Sequence, residues 1–405
     1  MKTLVYYEKR KILRRKSTVI ACLFMLLSIL ALSLVFVSDQ GYFGADGTEL
    51  SGHAAISAKR ENEHLLAGQL TPDYLTDILQ RCQTTYNTAE NYDSMTGGLR
   101  NDVYLKQILP YREILNLMLG VYAPDTYDLR VLTTVTDGDF YNVRHANIQA
   151  VLDSGSYTSA EKDTVLKKAA MVSIPFTFDY ANGWDTLLTR AFSTLFLLIS
   201  IAVCVAISPI FANEYQTGAD SIILASKYGR RETVHAKIFA AFVVTSSIYA
   251  AAVLFCMITV LLPFGMQGWN CNFQILSVNS FYNMKIWQVV LCGIIINYIV
   301  VLEVMAFTML MSAICKTSFA AVIISVVCTL IPMFIPTGNS KLFTHIVNLL
   351  PARAVETYSV FSSYDLYSVG KLVFTLPYMI MIVACVWILV ALPTAHRKFC
   401  RHQVA

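Results

Sequence analysis

The hydrophobic pattern divides the chain into long apolar runs and one long polar block. Residues 17–37 are 21 consecutive uncharged positions, enough at about 1.5 Å per residue to cross a hydrocarbon core of about 30 Å. Five further runs qualify, at about 191–210, 238–262, 286–314, 319–335 and 372–392. A cleaved signal peptide would have an apolar region of about 7–15 residues ending at small side chains. The first run instead continues through Leu34, Val35, Phe36 and Val37 without an AxA site. The pattern therefore predicts an α-helical polytopic membrane protein with six transmembrane helices.

The polar block, 38–188, is too well patterned to be a tether. Thr71-Pro72 reads as a helix start, with Leu75, Ile78, Leu79 and Cys82 on one face. Thr158-Ser159-Ala160-Glu161 reads as a capping box opening a helix with Val165, Leu166, Ala169 and Ala170 inward. Between them Leu129, Val131, Thr133 and Val135 alternate and end at Asp137-Gly138, a strand-and-turn pattern. The expectation is a mainly helical, possibly α+β, domain.

Composition agrees. The chain is 56% hydrophobic and 14% charged, against roughly 25% charged in soluble proteins, which argues against a water-soluble enzyme. Residues 39–186 hold 20 acids and 11 bases, a balance of −9, whereas the other 257 residues hold 7 acids and 20 bases, a balance of +13. The formal +4 of the whole chain is the residue of this asymmetry. Positive flanks stay cytoplasmic. Fifteen Lys and Arg fall on the side of the termini, seven of them between Lys2 and Lys16, whereas the two shorter loops on the other side carry four (Lys285, Lys341, Arg353 and Lys371). Both termini are therefore expected in the cytoplasm of a plasma-membrane protein, with 38–188 as an extracytoplasmic domain. The full plan is a cytoplasmic basic elbow at 1–16, the first span at 17–37, and spans two to six within 189–395. These spans enclose a cytoplasmic loop at 212–237 and outer loops at 263–285 and 336–371, and a cytoplasmic tail follows at 396–405. The aromatic last outer loop is expected at the lipid interface.

Little enzymatic chemistry is written in the chain. There is no GxxxxGK[ST] phosphate loop, HExxH or GxSxG, and the seven histidines are scattered. No CxxC occurs among the ten cysteines; Cys82 and Cys271 alone fall in outer segments, where one disulfide could form. No metal site and no nucleic-acid partner is expected. Within the spans, Asn297 and Glu303 are the polar candidates. An intramembrane carboxylate should face protein or a watery cavity: either Glu303 lines a substrate path or the long run places it nearer the interface. Asn297, six positions away, lies on a different helical face.

The loop between the second and third runs carries Phe211, Glu214, Gly218, a short apolar helix over 221–225, then Gly229, Arg230 and Lys237. A helix held by two spans is a lever. This loop resembles that of the permease subunits of ATP-binding-cassette type-2 exporters, which reads Phe-x-x-Glu, Gly, a short apolar helix, a Gly-Arg-like end and a Lys entering the next span. The basic elbow, Gly183-Trp184 and the turn from Met311 to Ser318 extend the likeness; the large insertion departs from the simplest members. The resemblance implies a transport subunit that is not itself an enzyme. ATP and Mg would be bound by a separate cytoplasmic ATPase docked on the loop helix, a second identical or homologous permease would pair with this one, and lipid would surround both. The competing reading is a membrane sensor whose extracytoplasmic domain binds a ligand.

Overall fold

The computed structural model describes the chain apart from residues 1, 45, 137–138, 227–230, 337, 339, 371 and 402–405. Five helices are long and apolar enough to cross a bilayer: Lys16–Ser38, Asn182–Thr217, Glu232–Phe264, Ile286–Ile314 and Leu376–Cys400. The protein is thus an α-helical polytopic membrane protein. The run at 319–335 forms a shorter apolar helix, Ser318–Leu330, prolonged by a tight turn over Ile331–Phe334. It spans about 25 Å at helical rise. Pro332 and Pro336 stop it, because each lacks the N–H that would continue the ladder, and the Arg353 guanidinium covers the freed carbonyls of Pro332 and Ile335 at 3.3 and 3.2 Å.

Two helix boundaries differ from the apolar runs. The second long helix begins at Asn182 rather than 191 and continues to Thr217. Hydropathy stops at Arg190, but the helix does not: Arg190 pairs with Asp39 at 2.8 Å, where the first long helix ends. The last helix begins at Leu376 rather than 372, because Leu372–Thr375 pairs antiparallel with Leu366–Val369. At its other end it continues to Cys400, carrying Arg397 and Lys398 in its last turn rather than in a free tail.

Ile286–Ile314 is the centre of the bundle. Its Val300, Val301, Val304, Met305 and Met309 are buried, and the other four long helices and the short Ser318–Leu330 helix surround it or each other. Helix contacts use small residues and hydroxyls, as expected where lipid offers no hydrophobic drive for association. Ser33 Oγ donates to Thr259 Oγ1 (2.9 Å), Tyr249 OH donates to the Ile294 carbonyl (2.6 Å), and Ser246 and Tyr298 share a hydrogen bond (2.7 Å). Lys16–Ser38 is the most peripheral. Its Ile20, Leu23, Phe24, Leu27, Leu34 and Val35 are exposed, an arrangement stable only where the solvent is itself apolar.

The polar block has its own core of Leu75, Ile78, Leu79, Cys82, Ile108, Ile114, Met118, Phe140 and Phe176. Helices Pro72–Asn87, Arg112–Tyr122 and Phe140–Ser154 build it, and the strand pair Gly68–Leu70 with Phe176–Phe178 closes it, whereas Gly52–Leu65 and Ser159–Ala170 turn Ile56, Val165 and Ala169 to the bundle's hydrophobic cluster. Both anticipated caps form: Thr71 Oγ1 accepts from Tyr74 N, and Thr158 and Glu161 complete a capping box. Two expectations are corrected. Residues Leu129–Thr134 fold as a 3-10 helix, not a strand, because the Asp128 carboxylate accepts the Arg130 N–H and the Gln83 amide claims the carbonyls of Leu132 and Val135; the turn residues 137–138 lie outside the described residues. In the capped helix, Val165 and Ala169 are buried, Leu166 is half-buried and Ala170 is exposed. Cys82 and Cys271 are both free thiols.

The block joins the bundle through apolar side chains, Ile56, Ile148, Leu152, Val165 and Ala169, that belong to the bundle's hydrophobic cluster, and through directional hydrogen bonds. The buried Arg144 donates to the carbonyls of Val278 and Ser280, both at 2.6 Å, and burial draws its pKa down to about 10. Asn272 Oδ1 accepts from Thr177 N at 2.9 Å. Trp184 Nε1 donates to the Gln267 carbonyl at 2.9 Å, where Gly183 lets the chain pass so closely that a Cβ there would lie 2.9 Å from the Gly265 carbonyl. Replacing Arg144 by Ala should remove two charge-assisted hydrogen bonds and cost about 2–3 kcal/mol. Thermal unfolding of the purified protein should show this as a lowered midpoint, with Arg144→Lys recovering only part; an unchanged midpoint would mean that the fastening lies elsewhere.

Candidate functional site

At the bundle end that carries the N-terminal helix, Lys2–Leu13, three chain segments meet around one buried ion pair. Pro209 interrupts the Asn182–Thr217 helix; it contributes no N–H and loosens the turn around it. The amides of Phe211 and Ala212 turn instead to Ser312 Oγ (3.0 and 3.1 Å), which donates in its turn to the Ser208 carbonyl (2.5 Å). One serine of the central helix thus holds the kink. It places Phe211, fully buried, against Phe399 at 4.8 Å between ring centroids, and sets Glu214 one turn further on.

Glu214 is 1% exposed and Lys237 is not exposed at all. Lys237 Nζ donates to Glu214 Oε1 (2.5 Å), to the Ile210 carbonyl (3.0 Å) and to Glu8 Oε2 (3.1 Å). An ammonium has three donors, and here each has a different acceptor. Glu214 Oε1 also accepts from Lys11 Nζ at 2.9 Å, while Oε2 is buried without a hydrogen-bond partner among the described residues. Glu8 and Lys11 stand one turn apart on the N-terminal helix, so that helix contributes one charge of each sign. Arg15, just before the first long helix, has its pKa lowered by burial, with Glu214 and Glu8 opposing the shift.

Beyond the pair, Gly218 adopts φ +67°, a left-handed conformation that ends the long helix and that side chains adopt at a cost. It opens directly into the short helix Ala219–Ala225. Leu224 of this helix is buried and Ile222 is 76% exposed, so the helix grips the bundle with one face and presents an apolar side chain with the other.

The structure therefore gathers Phe211, Glu214, Gly218 and Lys237 at one site. Gly229 and Arg230 lie outside the described residues, and the short helix ends at Ala225 before reaching them. Glu214 lies buried within the loop, and the outward position belongs to Ile222. Glu8, Lys11 and Ser312 were not singled out in the sequence. A signal existed for Glu8, the only acid among the seven bases of the N-terminal segment, three residues before Lys11. Asn297 and Glu303 are buried elsewhere on the central helix. Asn297 Nδ2 donates to Thr357 Oγ1 at 3.4 Å, and Glu303 lines a separate cavity.

A second charged cluster lies in the polar block. Lys59 contacts Glu113 at 2.9 Å and the buried Glu63 at 3.5 Å. Lys59 thus serves Glu113 first, and burial raises the Glu63 pKa to about 8 despite the lysine. Among the described residues, no group of three or more His, Cys, Asp and Glu is arranged to hold a metal ion.

Removing one member of a buried pair strands its partner, at about 3–5 kcal/mol. Glu214→Ala and Lys237→Met should each lower the unfolding midpoint strongly. The double variant Glu214→Leu/Lys237→Met should recover most of the loss, measured as a coupling energy in a double-mutant cycle; additive losses would contradict the pairing. Glu63 gives a pH effect of known sign. The folded chain retains a proton that the unfolded chain releases near 4.5, so the stabilisation is complete below that pH and is lost as pH rises towards about 8. Melting scans should show a midpoint falling across this window, and Glu63→Gln should flatten that part of the profile.

No family model, curated protein or solved structure matches this chain.

Proposed function

We propose that the protein is the permease subunit of an ATP-driven exporter of the ATP-binding-cassette type. In this reading six helices cross the plasma membrane, Ser318–Phe334 being the short one. The termini and the Ala219–Ala225 helix are cytoplasmic, and the polar block is extracytoplasmic. A separate ATPase subunit binds ATP and Mg and docks on the short helix, and a second permease completes the transport path.

The observation that carries the reading is mechanical. The short helix is joined to one long helix through Gly218, and the buried Glu214–Lys237 pair ties that junction to a second long helix and, through Glu8 and Lys11, to the N-terminal helix. A partner pushing on the exposed face around Ile222 would displace three segments together instead of bending a loop. The excess of basic residues at this end supports a cytoplasmic location. A buried ion pair is a costly way to add stability, which favours a role in rigid coupling.

The reading expects an ATPase with a phosphate loop, encoded next to this gene, to co-purify with the protein. Ile222→Asp, at a position that contributes little to the bundle, should leave the thermal midpoint within about 0.5 kcal/mol of the original while reducing ATPase capture at least tenfold. Undiminished capture by Ile222→Asp would remove the short helix as the docking element, and failure of any such ATPase to bind would overturn the reading.

A further inference from the structure

Among the described residues, Glu303 has no hydrogen-bond or ion-pair partner. It is 8% exposed, eighteen residues into a continuous 29-residue helix, and no described side chain or amide donates to it. It lines a cavity of about 120 Å³ between the central helix, Ser318–Leu330, Pro351–Ala354 and Leu376–Cys400, beside Phe307, Thr329, Leu350 and Trp387. The nearest cation in sequence on a lining element, Arg353, is engaged elsewhere: its guanidinium donates to the Pro332 and Ile335 carbonyls and lies 3.7 Å from Glu356. The cavity therefore contains one unmatched carboxylate in apolar and aromatic walls. Its mouth is rimmed by Trp387, 46% exposed, and the exposed Cys328, so it opens sideways to whatever surrounds the bundle.

The chemistry of this lining selects its ligand. Small hard metal ions demand several oxygen ligands, and one carboxylate among hydrocarbon walls cannot provide them. A large, weakly hydrated organic cation needs only one counter-charge, and gains from an indole face within reach. The volume is roughly ten times what one water needs, enough for a compact headgroup but not for a long chain. An alkyl tail would have to leave through the lateral mouth, where the surroundings are apolar.

We propose that this cavity is a binding site for lipophilic organic cations of the alkyl-trimethylammonium class. Glu303 supplies the counter-charge, Trp387 covers the headgroup, and the tail stays in lipid. The site goes beyond the exporter reading and is tested without any ATPase, so the two stand or fall separately. The experiment is equilibrium binding of radiolabelled decyltrimethylammonium to the full-length protein in phosphatidylcholine nanodiscs, with empty nanodiscs subtracted. Saturable binding is expected, displaced by benzyltrimethylammonium but not by decyl sulfate. Glu303→Gln should weaken it at least tenfold and Trp387→Leu several-fold, both variants eluting as monodisperse protein. If Glu303→Gln does not fold, the displacement pattern of the unaltered protein and the Trp387→Leu result decide. Absence of saturable binding, displacement by decyl sulfate equal to that by the cation, or unchanged affinity in a folded Glu303→Gln variant would each overturn the proposal.

Discussion

A lysine ammonium with no exposure to solvent is the constraint around which one end of this protein is organised. Desolvating such a group costs several kcal/mol unless every donor is satisfied, and Lys237 meets that condition only by drawing on Glu214, Ile210 and Glu8 together. The N-terminal helix therefore cannot drift from the bundle without exposing a charge imbalance, and the Asn182–Thr217 helix cannot straighten at Pro209 without moving Glu214. Ser312 holding the kink and Phe399 packed on Phe211 are consequences of the same requirement.

Two parts of the chain obey different solvents. The long helices leave Ile20, Phe24, Leu254, Ile258 and Leu389 uncovered and add alanines and hydroxyls to the larger apolar residues in their buried contacts, as helices do when the surroundings are hydrocarbon. The polar block buries leucines and aromatic rings in a core of its own and leaves a largely polar surface. Where the two parts meet, Ile56, Ile148 and Val165 join the bundle's hydrophobic cluster, and directional bonds from Arg144, Thr177 and Trp184 to the loop after Phe264 are added to that apolar contact. Such a junction fixes orientation with few residues. It transmits displacement between the block and the bundle through identifiable atoms.

Much of the architecture is legible in the sequence, for reasons that can be traced. Apolar runs identify the five long helices because lipid-facing and core-facing positions are both hydrophobic, and the caps at Thr71 and Thr158 are local hydrogen-bond patterns readable within four residues. Failures occur where a distant group satisfies what local reading counts as exposed. Arg190 ends the apolar run although the helix continues past it beside Asp39, the alternation at 129–135 suggests a strand until Gln83 takes two of its carbonyls, and 372–375 extends an apolar run until Leu366–Val369 pairs with it.

The same division applies to the candidate site. Sequence alone determined that the chain is a polytopic membrane protein with one acidic polar block and a basic remainder, and it singled out Phe211, Glu214, Gly218, Lys237, Asn297 and Glu303, because hydropathy, charge and glycine content are properties of short segments. Tertiary structure decided which of these act together. Glu8 and Lys237 are 229 positions apart, and the cavity beside Glu303 draws its walls from four separate helices. The pairing of a buried charge depends on the three-dimensional path of the chain, and no local pattern records which carboxylate will find a cation and which will be left without one.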